Sequence, residues 1–391
     1  MSKGKAGAGL ALLVMSFGCS SSNSDGPGGF PGTAGHGGSP GPTSGPGGSQ
    51  SPGGPPSATG RAGAGGTGTI TGVGGAGTAG ATAGAGGAAG AGAGGAGGGS
   101  ACAGDPLTRC TGTMSGPWCT EMLSVGALPL MDGIWANGPD NVWFVGGQFP
   151  PGGTTAFGMF ARFDGCAWTV TQRPDLPELH GVWGAGPNDV WLAGTNGTAY
   201  HWNGTTLTAV PVPGATNLRA VSGTSSTDVW AVGTGIYHWN GSAWAQSSAS
   251  AGNDVWAVSP TDVWVASGTT DALHFDGMTW TATALTDFGL FTIWGDSTQA
   301  YAGGEGEALF HFVGGSWTTL AVRGGSSEGF VDIGGLGADI FAVGNNKVVR
   351  LSGNTFAPAT DVPFGSYRSV WVSPTQVWLG ASNGLVTHRS R

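Results

Sequence analysis

Charge is scarce in this chain. Of 391 residues only 13 are Lys or Arg and 22 are Asp or Glu, which leaves a net charge of −9. So few cations cannot build the basic surface that a phosphate backbone requires, and a nucleic-acid partner is excluded. Long apolar runs are missing too: none approaches the ~20 residues of a membrane-crossing helix. Cysteine occurs five times and never as C-x-x-C, so no zinc site is expected. No Gly-Lys-Ser/Thr follows the glycine runs, which rules out a phosphate loop. No Ser-His-Asp order and no close carboxylate pair outside the repeat frame nominates a catalytic residue. The sequence therefore predicts no cofactor, no metal and no catalytic centre.

Glycine is what the chain has in excess, 81 residues, together with 23 prolines. It keeps no G-X-Y period, so the chain is not collagenous. Residues 20–101 hold 33 glycines in 82 positions, with Phe30 the one aromatic and Asp25 and Arg61 the formal charges. Such a segment cannot bury enough apolar surface to offset the entropy of ordering. A disordered linker is expected there, with a reach of about 5–6 Å × √82, roughly 50 Å.

Ahead of it, Lys3 and Lys5 precede the short apolar core Leu10-Ala11-Leu12-Leu13-Val14-Met15, the layout of a secretion signal over residues 1–19. The following Ser16-Phe17-Gly18-Cys19 resembles the lipobox of bacterial lipoproteins, with Ser16 where leucine is usual. The resemblance implies that Cys19 is lipidated and becomes the mature N-terminus. It also implies that Ser20 is compatible with outer-membrane sorting, so the protein would be exported and lipid-anchored to the outer membrane or cell surface. Each buried CH₂ of the acyl chains contributes about 0.8 kcal/mol, and the membrane is met through that anchor only.

Composition changes near Cys102, and all 17 tryptophans lie beyond it. A phrase then recurs seven times: Asn141-Val142-Trp143, Asp189-Val190-Trp191, Asp228-Val229-Trp230, Asp262-Val263-Trp264, Gln299-Ala300-Tyr301, Asp339-Ile340-Phe341 and Gln376-Val377-Trp378. Trp143 and Trp378 are 235 residues apart over six intervals, a period near 39, which marks a solenoid or a propeller. Seven or eight residues before each anchor stands Trp135, Trp183, Ser222, Trp256, Trp294, Gly334 or Trp371. Third strands ending in phrases such as His201-Trp202-Asn203-Gly204 carry the Asn-Gly or Asp-Gly signal of a hairpin. Four short antiparallel strands per repeat describe a propeller blade.

The last repeat has three strands, over 369–372, 376–381 and 385–390, and the chain stops without a fourth. An orphan fourth strand at 116–121 precedes the first repeat. Residues 102–391 are therefore expected to form an all-β, seven-bladed β-propeller of four-stranded antiparallel blades, closed by that N-terminal strand. Closure leaves only short, protected edges. The pattern over 116–391 resembles the tryptophan-rich propeller repeats of secreted bacterial lipoproteins, similar in appearance to Kelch and WD40 repeats. Such repeats specify fold well and function poorly.

The tryptophans are read as core between stacked blades. His201, His238, His274, His311 and His388, with Arg162 and Arg350 in the same slot, are read as polar residues bonded within their own blades. With Cys19 assigned to lipid, Cys102, Cys110, Cys119 and Cys166 form two disulfides in one of three pairings, and a bridge through Cys119 would reinforce the ring seam. Variable loops on one face, with segments 148–158 and 323–329 overhanging it, surround the entrances of the innermost strands. There Asp132, His180, Arg219, Asn253, Thr292, Asp332 and Arg368 should ring a channel mouth. The function expected is a monomeric, surface-tethered module that binds or scaffolds an unidentified protein or polysaccharide. The competing reading is an extracellular glycan hydrolase or lyase that uses mouth carboxylates such as Asp132 and Asp332.

Overall fold

The computed structural model describes residues 110–123, 130–149, 153, 156–286, 288–323 and 329–391. Cys19, Cys102, the signal over 1–19, the linker 20–101 and much of the overhanging segments lie outside the described residues. The described residues form 29 strands. A hairpin of β1 (Thr113–Ser115) and β2 (Trp118–Met122) comes first. Strands β3 (Gly133–Gly138), β4 (Asn141–Gln148), β5 (Phe157–Phe163) and β6 (Trp168–Pro177) then make an antiparallel sheet in chain order. The pattern repeats in β7 (Leu179–Gly186), β8 (Asp189–Gly194), β9 (Thr198–Trp202) and β10 (Leu207–Pro211). It repeats again in β11 (Leu218–Ser225), β12 (Asp228–Gly233), β13 (Ile236–Trp239) and β14 (Trp244–Ser248). A fourth copy is β15 (Gly252–Ser259), β16 (Asp262–Ser267), β17 (Asp271–Phe275) and β18 (Trp280–Ala284).

An eight-stranded sheet follows. One antiparallel half is β19 (Leu290–Gly295), β20 (Gln299–Gly304), β21 (Leu309–Val313) and β22 (Ser316–Val322). The other is β23 (Asp332–Leu336), β24 (Asp339–Gly344), β25 (Lys347–Ser352) and β26 (Thr355–Pro358). A short parallel contact, Ala321 with Thr355 and Val322 with Phe356, joins the halves. The final sheet holds β27 (Tyr367–Val372), β28 (Gln376–Ala381) and β29 (Leu385–Ser390), and its next strand is β2, paired antiparallel to β29 from Cys119–His388 to Met122–Leu385.

Second strands are the most deeply buried, and the fourth strands of the middle sheets are largely exposed. All six residues of β12 are buried, whereas β14 buries Trp244 and exposes the three residues after it. Apolar runs such as Val229-Trp230-Ala231-Val232 can therefore sit between two neighbouring sheets. Between third and fourth strands, Asn203 Oδ1 accepts from the N–H groups of Thr205 (3.1 Å) and Thr206 (2.9 Å). Gly204 supplies the left-handed turn at φ 96°. The hairpin is thus a four-residue loop capped by an Asx side chain, not a two-residue turn.

The anchors hold the sheets to one another. Trp191 packs against Trp239 and Trp244 of the next sheet, with ring centroids 5.1 and 5.4 Å apart. Trp230 meets Phe275 and Trp280 in the same way, and Trp264 meets Phe312 and Trp317. Trp378 of the last sheet packs against Phe163 and Trp168 of the first, both at 5.9 Å. Trp118 of β2 shares a core cluster with Phe341 of β24. Glu121 of β2 accepts the Trp168 indole N–H at 2.9 Å.

Of the candidate cysteines, Cys110 and Cys119 are bonded to each other. That bridge closes a loop nine residues along the chain, at the β1–β2 hairpin, and does not cross-link two sheets. Cys166 is also in a disulfide.

Candidate functional site

The first strands of the sheets lie side by side: β3 by β7, then β11, β15, β19, β23 and β27, with β27 again beside β3. Residues of all seven line one cavity of about 410 Å³. Five of these strands leave one residue out of the ladder near their start: His180, Arg219, Asn253, Phe291 and Arg368. A bulge frees such a residue from strict alternation and re-aims its side chain. Asp132 and Val331 occupy the matching place ahead of β3 and β23, their N–H groups donating to Val145 and Val343 carbonyls at 2.9 Å.

The rim built this way is two-sided. One arc is charged, running Arg368, Asp132, His180, Arg219. After Asn253 the other arc is apolar, Phe291 and Val331. Arg368 Nε donates to Asp132 Oδ1 at 2.6 Å, and His180 Nδ1 lies 3.3 Å from Oδ2. Burial alone would raise the Asp132 carboxyl, but the His180 hydrogen bond and the Arg368 charge outweigh it and hold the group below the usual carboxylate range. Glu178 is pushed upward by burial, and the Asp132 charge adds to this. Asp132, Glu178 and His180 are close enough to ligate one cation, but the Arg368 guanidinium already supplies positive charge to Asp132. Arg219 is exposed, lines the cavity and has no ion-pair partner among the described residues.

One residue deeper the strands are tied together. Asp254 Oδ2 accepts from Ile293 N of the next first strand at 2.9 Å, Thr292 Oγ1 from Ile333 N at 3.0 Å, and Asp332 Oδ2 from Val370 N at 2.7 Å. Ser369 Oγ donates to the Met131 carbonyl at 3.1 Å. Burial raises Asp254 to about 6, partly countered by the N–H groups of Ile293 and Val255. Burial, reinforced by repulsion from Asp254, lifts Asp332 well above its ordinary value.

Further along, indoles fill the channel. The Trp256 ring lies 6.2 Å from those of Trp294 and Trp371. Strands β15 and β27 are not neighbours, so the Trp256–Trp371 contact spans the channel. Ser222 and Gly334 stand where the other five first strands carry tryptophan, which leaves room for those rings.

Of the expected rim residues, Asp132, His180, Arg219, Asn253 and Asp332 line this one cavity, and Arg368 joins through its ion pair with Asp132. Thr292 and Asp332 sit one residue deeper than the rim, because Phe291 and Val331 take the rim positions in their strands. Sequence reasoning missed Asp254, Glu178, Phe291 and Val331. The signal for Asp254 was a second column, Asp254, Thr292, Asp332 and Ser369, visible only once the strands are registered.

The recurring histidines lie outside this site. His201, His238 and His274 bond Asp189, Asp228 and Asp262 of their own sheets at 2.7–2.9 Å through Nε2, and His311 bonds Gln299. Each stacks on its anchor ring, as His388 does on Trp378 at 4.1 Å, while Arg162 and Arg350 cover Trp143 and Phe341.

No protein-family model matches the chain, and no curated protein matches it. Solved structures do. The chain is similar to a structure described as YCF48 bound to D1 peptide, with a TM-score of 0.55 and 17% identity over 72% of this chain and 99% of that one. It is also similar to the WD40 β-propeller domain of Doa1, with a TM-score of 0.54 and 13% identity over 70% of this chain and 95% of that one. At such identities the likeness speaks to fold alone: the chain is a β-propeller.

Proposed function

We propose that this propeller is a seven-bladed ring closed by β2, exported and lipid-anchored through Cys19 to the outer membrane or cell surface. We further propose that it binds or scaffolds a protein or polysaccharide without catalysing a reaction. Export and the anchor rest on residues 1–19 alone, and the linker 20–101 would hold the ring clear of the membrane. The closed ring is supported by β2 standing in the fourth-strand place beside β29, and by Trp378 packing on the first sheet as the other anchors pack on their neighbours. Seven blades are supported by the two antiparallel halves of the eight-stranded sheet, each repeating the common pattern.

One observation carries the binding reading: successive strands release rim residues around a shared cavity, and Arg219 stands there without a counter-ion among the described residues. A solved neighbour is described as bound to a peptide, which favours a polypeptide partner over a polysaccharide. The hydrolase or lyase alternative needs free carboxylates. Asp132 is taken up by Arg368 and His180, and Asp254 and Asp332 by backbone N–H groups. The test presents the immobilised full chain to peptide and glycan arrays and assays hydrolysis in parallel. Capture without turnover, lost in Arg368→Ala, is the expected result. Turnover abolished by Asp332→Asn contradicts the proposal.

A further inference from the structure

The rim and the channel beneath it ask different things of a ligand. At the rim, Arg219 is a guanidinium with no counter-ion among the described residues, whereas the other rim cation, Arg368, is spent on Asp132. Asp132, Glu178, Asp254 and Asp332 crowd the same opening, Asp132, Asp254 and Asp332 in its wall and Glu178 beside His180. The described rim residues offer no second unpaired cation beside Arg219, so a dianion such as a phosphate monoester would leave one charge unmatched. A single carboxylate matches the Arg219 charge, and its two oxygens fit the planar fork of a guanidinium. Beyond Asn253 the rim turns apolar at Phe291 and Val331, and the indoles of Trp183 and Trp256 line the same cavity. A cavity of about 410 Å³ lies within the range of small-molecule sites, about 300–1,000 Å³.

We propose that the axial cavity binds an apolar monocarboxylate, with the acid group on Arg219 and the hydrocarbon body against Phe291, Val331 and the channel indoles. This rests on the binding reading above and names the chemistry that the site selects. Two sources offer that chemistry: a free small acid, or the C-terminal carboxylate of a polypeptide that ends in an apolar residue.

Isothermal titration calorimetry on the full chain tests it with four probes. These are 4-phenylbutyrate, its neutral amide, a hexapeptide ending in Phe with a free C-terminus, and the same peptide amidated. At least one acid should bind ten times more tightly than its amide, and Arg219→Gln should bring acid and amide within twofold. Phe291→Ala should weaken acid and amide together and leave their ratio intact. Tighter binding of the free peptide than of phenylbutyrate assigns the site to polypeptide termini; the reverse order assigns it to small acids. Equal binding of acids and amides, no binding of any probe, or an acid preference that survives Arg219→Gln overturns the proposal. Array capture that persists after such a failure leaves the binding reading standing without this ligand class. Acid binding without array capture keeps the site and removes the scaffolding role.

Discussion

Burial raises the carboxyl of Asp228, but hydrogen bonds from His238 and Thr224 outweigh it and hold the group below its ordinary value. Its stabilising contribution is therefore present above the ordinary carboxylate pKa and lost as pH falls through the lower folded value. Asp228→Ala leaves His238 and Thr224 without their acceptor and should cost about 1–3 kcal/mol, read from urea midpoints at pH 7. Asp189→Ala should cost less, because that side chain is 27% exposed against 10% for Asp228. A cost at Asp189 equal to that at Asp228 would contradict the burial argument. Asp254 runs the other way. Its folded value of about 6 stands above the ordinary 3.8, so the folded state binds the extra proton and stability falls as pH rises through about 4 to 6. A shift of that size is worth at most about 3 kcal/mol. Asp254→Asn, which keeps an acceptor for the Ile293 N–H, should flatten that part of the melting-temperature profile; an unchanged profile would refute the assignment.

Glycine decides how closely successive sheets approach. A Cβ at Gly184 of β7 would stand 2.7 Å from Cη2 of Trp135 on β3, and 3.0 Å from the Asp189 carbonyl. Gly223 meets Trp183 in the same way, at 2.9 Å. The indoles of Trp135, Trp183 and Trp294 thus lie over Gly184, Gly223 and Gly335 of the following strands. Gly184→Ala should destabilise by about 1–3 kcal/mol, and Trp135→Phe in the same chain should recover part of that loss in denaturant midpoints. The absence of recovery would show that the carbonyl contact dominates. Strand order, the anchors and the last three strands were legible in the sequence because period and alternation depend on neighbours in the chain. The rim was legible only in part. Bulges that expose His180 and Arg219 arise from pairing across two strands, and the one-residue slip that puts Phe291 and Val331 in place of Thr292 and Asp332 leaves no mark on composition. Glu178 and Asp254 acquire their character from groups on other strands, which no local pattern reports.

At the scale of the molecule, the chain's two ends of sheet structure meet in one place. Strand β2 completes the sheet of β27–β29, and Trp378 of that sheet rests on Phe163 and Trp168 of the first. The Cys110–Cys119 bridge lies at the β1–β2 hairpin and leaves the β2–β29 ladder to hold by hydrogen bonds and packing. The rim map, the charged and apolar arcs and the proposed carboxylate site all presuppose that the first and last sheets are neighbours. Thr120 and Thr387 face one another across that ladder, with hydroxyl oxygens 3.3 Å apart. Replacing both in the full chain, Thr120→Cys with Thr387→Cys, puts two thiols within disulfide reach. Peptide mapping by mass spectrometry under non-reducing conditions should then find residues 120 and 387 covalently joined in the folded monomer. A folded monomer in which both new thiols stay free would contradict the closed ring.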